Sequence, residues 1–127
     1  MMKRRTAREK AFQILFQMDL NEIDPDQAIQ HVVENEEINP FLELLVHGVT
    51  EHQQEIDTKI SDHLEYWTLG RLASVEKVLL RIATFEMFYG AETPQGVAIN
   101  EVVELANRYG DDKSGKFING VLSKMIK

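Results

Sequence analysis

The sequence predicts an all-α fold of about seven helices, and three observations support this prediction. Apolar residues recur at intervals of three and four, as they do on one face of a helix, and no convincing strand-like alternation is present. Each of the three prolines follows a residue that can cap a helix N-terminus, in the pairs Asp24-Pro25, Asn39-Pro40 and Thr93-Pro94. Gly90 and Gly110 stand where helix C-terminal caps are expected, and the short connections are typical of a compact bundle.

The first helix is expected over residues 3–20, with the apolar stripe Ala7, Ala11, Ile14, Leu15 and Met18. The second and third, over residues 25–34 and 40–53, start at prolines. The third continues as a fourth to about residue 63, and the two could also be one helix because Gly48 is the only weak point. The fifth, sixth and seventh are expected over residues 71–89, 94–109 and 114–126. The supporting rows are Ile56, Ile60, Leu64, Trp67; then Leu72, Val75, Leu79, Ile82; and finally Ile118, Val121, Leu122, Met125, Ile126.

Length and composition set limits on the kind of protein. The 127 residues, 43% of them hydrophobic, suit one globular domain over residues 1–127 and leave no room for a second. The absence of cysteine excludes disulfides, thiolate zinc sites and cysteine nucleophiles. No stretch approaches the roughly 20 apolar residues of a membrane span, and the basic start lacks a signal-peptide core. We therefore expect a cytoplasmic protein with no membrane partner.

Charge is distributed very unevenly along the chain. The net charge is −7, yet residues 1–18 hold five bases against one acid, and residues 19–65 hold one base against thirteen acids. An acidic body with a basic arm repels nucleic acid everywhere except at one site. The alternative is an ordinary solvated surface with some asymmetry.

The first helix carries arginines and aromatic residues on one edge. Phe12 and Phe16 fall on a flank of the apolar stripe, and Arg5 and Arg8 project along the same side. Arginine forks hold phosphates, while aromatic faces stack on unpaired bases or fill a partner's pocket. Basic residues in a first helical turn also oppose the helix dipole, which suits an anion-binding site. The alternative is that both phenylalanines simply widen the buried face.

The last helix repeats this pattern. Phe117 points away from the apolar stripe, with Lys116 and Lys124 to its side, and is a second candidate for stacking on a single-stranded base. The alternative is that another helix covers Phe117. On the fifth helix, Glu76 and Leu80 lie beside the core stripe and form a candidate protein-binding edge.

Few residues suggest catalysis or metal binding. Glu86 lies within the apolar stripe of the fifth helix, where a buried carboxylate needs a partner. No nucleophile, metal cluster or phosphate loop accompanies it, so a structural ion pair is the better interpretation. The four histidines show no metal-ligand spacing. We expect no enzyme activity, no cofactor and no metal.

Three stretches resemble the NusB family. They read RRTAREKAFQILF over residues 4–16, VEKVLLRIATFE over residues 75–86, and PQGVAINEVVELA over residues 94–106, closing with KFINGVL over residues 116–122. Their order and spacing cover essentially the whole chain. The resemblance implies two small helical bundles and a role in transcription antitermination, chiefly of ribosomal RNA operons, in a complex with RNA polymerase. It also implies binding of boxA-type RNA together with NusE, a small-subunit ribosomal protein.

The resemblance assigns roles to residues that the helical pattern also singles out. The arginine-rich start and the aromatic Phe117 with Lys116 would contact RNA, while Phe16 and Glu76 would face the protein partner. With the helical pattern added, the candidate RNA-binding residues are Lys3, Arg4, Arg5, Arg8, Phe12, Lys113, Lys116, Phe117 and Lys124. The candidate partner-binding residues are Phe16, Glu76 and Leu80.

Some positions depart from the family pattern. Thr6 interrupts what can be a longer arginine run, Lys113 stands where a relative has an acid, and Phe16 lacks the hydroxyl of a tyrosine also found there. An alternative from another class is a protein-binding helical adaptor or homodimer without direct RNA contact. A homodimer formed through the arginine edge would mask the RNA site.

Overall fold

Seven α-helices make up most of the computed structural model, which describes residues 2–33 and 38–126. They are α1 (Arg4–Leu20), α2 (Pro25–Val33), α3 (Pro40–Glu51), α4 (Gln53–Ser61), α5 (Ser74–Phe88), α6 (Gln95–Tyr109) and α7 (Ser114–Met125), with a 3-10 helix at Leu69–Arg71. No strand occurs within these two ranges. The all-α prediction is confirmed, and the predicted end of the second helix at residue 34 lies outside the described residues.

Two of the three proline signals act as predicted. The Asn39 side-chain oxygen accepts hydrogen bonds from the backbone N–H groups of Phe41 and Leu42 at 2.9 and 3.2 Å, which caps α3. Asp24 accepts from the first turn of α2 in the same way. At the third signal α6 begins at Gln95, one residue after the predicted start. The predicted cap is wrong, because the Thr93 hydroxyl donates to Glu86 at 2.9 Å and makes no cap for α6.

The break between α3 and α4 falls at His52 rather than at Gly48. Gly48 is buried in the last turns of α3, where its backbone lies against the ring of Phe85. A Cβ atom at this position would collide with that ring. The glycine therefore permits close packing of α3 on α5 and does not interrupt the helix.

The start of α5 differs from the prediction of residue 71. The chain leaves α4 through an exposed segment, forms the 3-10 turn, and begins α5 only at Ser74. The apolar row that was extended from Ile56 to Trp67 therefore crosses the end of α4 at Ser61. Trp67 lies in the connecting segment and is largely exposed.

The helices pack as two groups that meet at α5. Helix α1 packs against α2 and α3, while α5 packs against α4, α6 and α7, and both α1 and α3 contact α5. This division agrees with the two small helical bundles that the family resemblance implies. Leu79, Ile82 and Phe85 of α5 are almost completely buried at the junction, and each such side chain contributes about 1.5–3 kcal/mol through burial. Among the described residues, none of the helices combines the length and hydrophobicity needed to cross a membrane.

Candidate nucleic-acid and partner interface

A buried ion pair joins α1 to α5. Arg8 is only 3% exposed, and its Nε and Nη2 atoms donate to the two carboxylate oxygens of Glu86 at 2.6 and 2.7 Å. Its Nη1 atom donates to Glu101 on α6 at 3.2 Å, and Thr93 also donates to Glu86. The prediction of a structural ion pair for Glu86 is confirmed. The expectation that Arg8 faces a phosphate is wrong, because burial and these partners leave its guanidinium without a free edge.

The remaining basic residues at the start of α1 lie on the surface. Arg5 donates through Nε and Nη2 to Glu101 at 3.1 and 2.9 Å, yet its side chain stays 66% exposed. Arg4 lies over the ring of Phe41, with its guanidinium carbon 4.3 Å from the ring centroid, and donates to the carbonyl of Ala91. Lys3 is exposed just before the helix. These three side chains, Lys3, Arg4 and Arg5, form what we call the basic arm.

The acids of α6 set the electrostatics of the basic arm. The hydrogen bond from Arg5 is the largest effect on Glu101 and holds its pKa below the ordinary value of 4.5. Partial burial opposes this shift, and the charges of Arg5 and Arg8 add smaller contributions that lower the pKa. The same hydrogen bond raises the pKa of Arg5. Glu104 adds a second carboxylate 3.6 Å from Arg5 Nη2. Both Arg5 and Glu101 are therefore charged at neutral pH.

The two phenylalanines of α1 have different environments. Phe12 is buried between Phe16 and Tyr109, with ring centroids 5.6 and 5.0 Å away. The expectation that Phe12 supports an RNA base is wrong, because its ring is buried against Tyr109 at the end of α6 and widens the buried face. Phe16 is only half buried and packs against the edge of the core. Its outer edge remains available to a partner.

A cleft between α5 and α7 brings together residues from both predicted sites. Its lining includes Lys113 and Phe117, which were predicted to contact RNA, and Glu76, which was predicted to contact a protein. Phe117 and Glu76 are half buried, and Lys113 is exposed. Trp67, Arg71, Leu72 and Ala73 complete the lining. We call this feature the α5–α7 cleft.

The other predicted residues of α5 and α7 do not line this cleft. Lys116 and Lys124 are exposed on α7, and Lys124 Nζ lies 2.8 Å from a carboxylate oxygen of Glu65. Leu80 is fully buried, so the expectation of an exposed apolar contact there is wrong. It fails because neighbouring helices cover α5 on several sides.

Sequence reasoning did not select Trp67 and Arg71. Trp67 was counted as part of a core row, and Arg71 was placed at the start of the fifth helix. A signal was present, since Trp67 falls between the predicted end of the fourth helix at residue 63 and the predicted start of the fifth at residue 71, where the chain reads EYWTLGR over residues 65–71. Among residues 2–33 and 38–126, no group of three or more metal-ligating side chains is assembled.

The fold and this surface define a class of small all-helical proteins that present basic and aromatic side chains at the edges of their helices. The chain belongs to the NusB family, whose model matches residues 5–127. It is similar to curated relatives named transcription antitermination protein NusB. The relative from Bacillus subtilis is 53% identical over 124 residues, which cover 98% of this chain and 95% of that protein. The relative from Oceanobacillus iheyensis is 53% identical over 125 residues, covering 98% and 99%.

Solved structures agree with this assignment. The T. maritima NusB structure superposes with a TM-score of 0.90 at 34% identity, covering 98% of this chain and 90% of that one. A crystal structure of the antitermination factors NusB and NusE in complex with dsRNA superposes with a TM-score of 0.88 at 34% identity, covering 98% and 97%. The predicted family and the predicted absence of enzyme activity are confirmed, since members of this family are antitermination proteins and not enzymes.

Proposed function

We propose that this chain binds boxA-type single-stranded RNA together with NusE and supports transcription of ribosomal RNA operons. It would act in the cytoplasm, in an antitermination complex with RNA polymerase. The α5–α7 cleft is the observation that carries the proposal, because Phe117 and Glu76 line it together. An RNA base on Phe117 and a protein on Glu76 would be close enough to contact each other. A relative's structure that holds NusB, NusE and dsRNA supports the pairing of these ligands.

The proposed RNA surface keeps the candidate residues whose side chains are not buried. It consists of the residues Lys3, Arg4, Arg5, Lys113, Lys116, Phe117 and Lys124. The basic arm and the lysines would neutralise phosphates, and Phe117 would stack on a base. The proposed partner surface consists of Phe16 and Glu76. Arg8, Phe12 and Leu80 would serve this function only by holding α1 and α5 in place.

Salt dependence gives the proposal a quantitative form. Each phosphate neutralised on a single strand changes the slope of log affinity against log salt by about −0.7. If about four of the exposed cations contact phosphates, the slope should be near −3. A salt-insensitive interaction would contradict phosphate binding.

The test is a titration of labelled boxA-type RNA, a scrambled strand and a boxA duplex at several salt concentrations, with and without NusE. We expect the single-stranded boxA RNA to bind most tightly and NusE to strengthen that binding. Arg5→Ala should weaken it and make the salt slope shallower. Arg108→Ala is the matched control, because Arg108 is a similarly exposed arginine that is paired with Glu9 and lies outside the proposed surface.

Equal binding of the boxA and scrambled strands in the presence of NusE would contradict the proposal, and so would an absence of binding. Either result would favour the protein-binding adaptor or homodimer. Sedimentation of the free protein at several concentrations would then distinguish these two.

A further inference from the structure

The outer part of the α5–α7 cleft is formed by a segment with no role in the proposed function. Trp67 lies there between α4 and the 3-10 helix, and Arg71 ends that 3-10 helix. Trp67 is the only tryptophan of the chain and is 57% exposed. Tryptophan is highly buried on average because it is large and mostly apolar, so this exposure leaves an extensive stacking surface in contact with solvent.

We propose that Trp67 and Arg71 form a nucleotide subsite, in which Trp67 stacks on one unpaired RNA base and Arg71 holds the adjoining phosphate. The inference rests on the proposed function and adds residues to it. Phe117 lines the same cleft, so the two aromatic side chains would contact the same strand. Aromatic platforms beside cations are the usual means of holding single strands, since every base has a face to stack.

The charges of the cleft favour an anionic ligand. Arg5, Arg81 and Arg108 each form salt bridges to carboxylates, whereas Arg71 and Lys113 form none within the part of the chain that the structure describes. Asp111 lies near Lys113, but its carboxylate accepts from the backbone N–H groups at the start of α7. Glu76 is the single acidic residue of the cleft lining. Two cations beside an exposed ring match the base and phosphate of a nucleotide.

A protein partner would use this cleft differently. A partner that buried Trp67 in an apolar pocket would gain from the ring alone and would have to desolvate the guanidinium and ammonium groups beside it, at a cost. RNA would stack a base on the Trp67 ring and place its phosphates beside both cations. The observations therefore favour RNA over protein as the ligand of Trp67 and Arg71, while Glu76 remains the proposed contact for the protein partner.

Intrinsic fluorescence offers a direct test because Trp67 is the only tryptophan. We would titrate the full chain with a short single-stranded boxA-type oligoribonucleotide, in parallel with an affinity measurement on labelled RNA. Stacking should quench the Trp67 emission with the same midpoint as RNA binding. Trp67→Ala should lower RNA affinity by about fivefold or more, and Trp67→Phe should recover much of the loss. Arg71→Ala should reduce affinity and make the salt slope shallower by about 0.7.

Tyr66→Ala is the matched control. Tyr66 is the neighbouring aromatic residue and is 91% exposed, but it does not line the cleft. We expect it to leave both quenching and affinity unchanged. Thermal melts by circular dichroism would establish that each variant is folded.

The outcomes separate this inference from the proposed function. If the wild type binds RNA while Trp67 emission is unchanged and Trp67→Ala binds with full affinity, the subsite is wrong and the proposed function stands. If Trp67→Ala binds NusE less tightly but binds RNA with full affinity, the residue contacts protein and the subsite is again wrong. If the wild type binds no RNA, both proposals fail together.

Discussion

The pair formed by Arg8 and Glu86 illustrates what sequence can and cannot give at the level of single residues. The position of Glu86 within an apolar stripe predicted a buried carboxylate with a partner. The partner is 78 residues away in sequence, so no local pattern could identify it. For Arg8 the sequence prediction was wrong. Its position near a helix start suggested a surface cation, yet the structure buries it.

Removing one member of this pair should strongly destabilise the protein. Arg8→Ala leaves Glu86 as a buried charge whose remaining donor, among the described residues, is Thr93. We expect the free energy of unfolding to fall by about 3–5 kcal/mol. The double variant Arg8→Met with Glu86→Leu removes both charges and should recover part of this loss. Urea unfolding monitored by circular dichroism would measure both. A single variant as stable as the wild type would contradict the structural role.

The lowered pKa of Glu101 should make stability depend on pH. The folded state binds this proton less readily than the unfolded chain, so the stabilisation is present above the ordinary pKa of 4.5 and is lost as the pH falls through the lowered folded value. We therefore expect the free energy of unfolding to decrease below about pH 4.5. Glu101→Gln should show a shallower decrease than the wild type. Parallel pH profiles for wild type and Glu101→Gln would count against this assignment.

At the level of helices, local chemistry predicted two of the three N-terminal caps before proline. Asp24 and Asn39 cap their helices because a side-chain oxygen before proline needs only nearby N–H groups. Thr93 failed this rule because its hydroxyl, in the loop before α6, donates to Glu86 of α5 instead of accepting from the first turn of α6. Gly48 was interpreted as a weak point in a helix, but its importance comes from Phe85, which the sequence could not place against it.

Two helical glycines should respond in opposite directions to alanine. Gly48→Ala places a Cβ against the Phe85 ring, and we expect it to destabilise the protein by about 1–3 kcal/mol through overpacking. Gly120, in α7, has open space at the corresponding position. Gly120→Ala should raise the free energy of unfolding by up to about 1 kcal/mol, because alanine is the better helix former. Thermal and urea unfolding of both variants would test this contrast. Equal effects would mean that Gly48 is not a packing position.

Across the whole molecule, the helical period predicted the fold class and most of the core. It did not predict which flanks of each helix stay exposed, because that depends on how the other helices pack against it. Phe12 and Leu80 both stood beside a stripe, and both are buried under neighbours. Phe16, by contrast, remains half exposed at the edge of the core. Trp67 was missed because its apolar row was extended past the end of α4.

The shared cleft predicts coupling between the two proposed ligands. If RNA and NusE meet at the α5–α7 cleft, each should raise the affinity of the other by the same factor, as linkage requires. Phe117→Ala should weaken RNA binding while leaving the affinity for NusE alone close to that of the wild type. Glu76→Ala should do the reverse. Isothermal titrations in both orders would measure the coupling, and independent affinities would contradict a common cleft.

The contact between Arg5 and Glu101 bears on selectivity. If an RNA phosphate binds the Nε and Nη2 edge of Arg5, it must displace the carboxylates of Glu101 and Glu104, which already lie there in the free protein. Binding there exchanges one anion for another, so the net gain per arginine is smaller than for an unpaired cation. This internal competition would weaken adhesion to any polyanion, including DNA and unrelated RNA. Selectivity among nucleic acids then depends on contacts to the bases, for which a carboxylate cannot substitute.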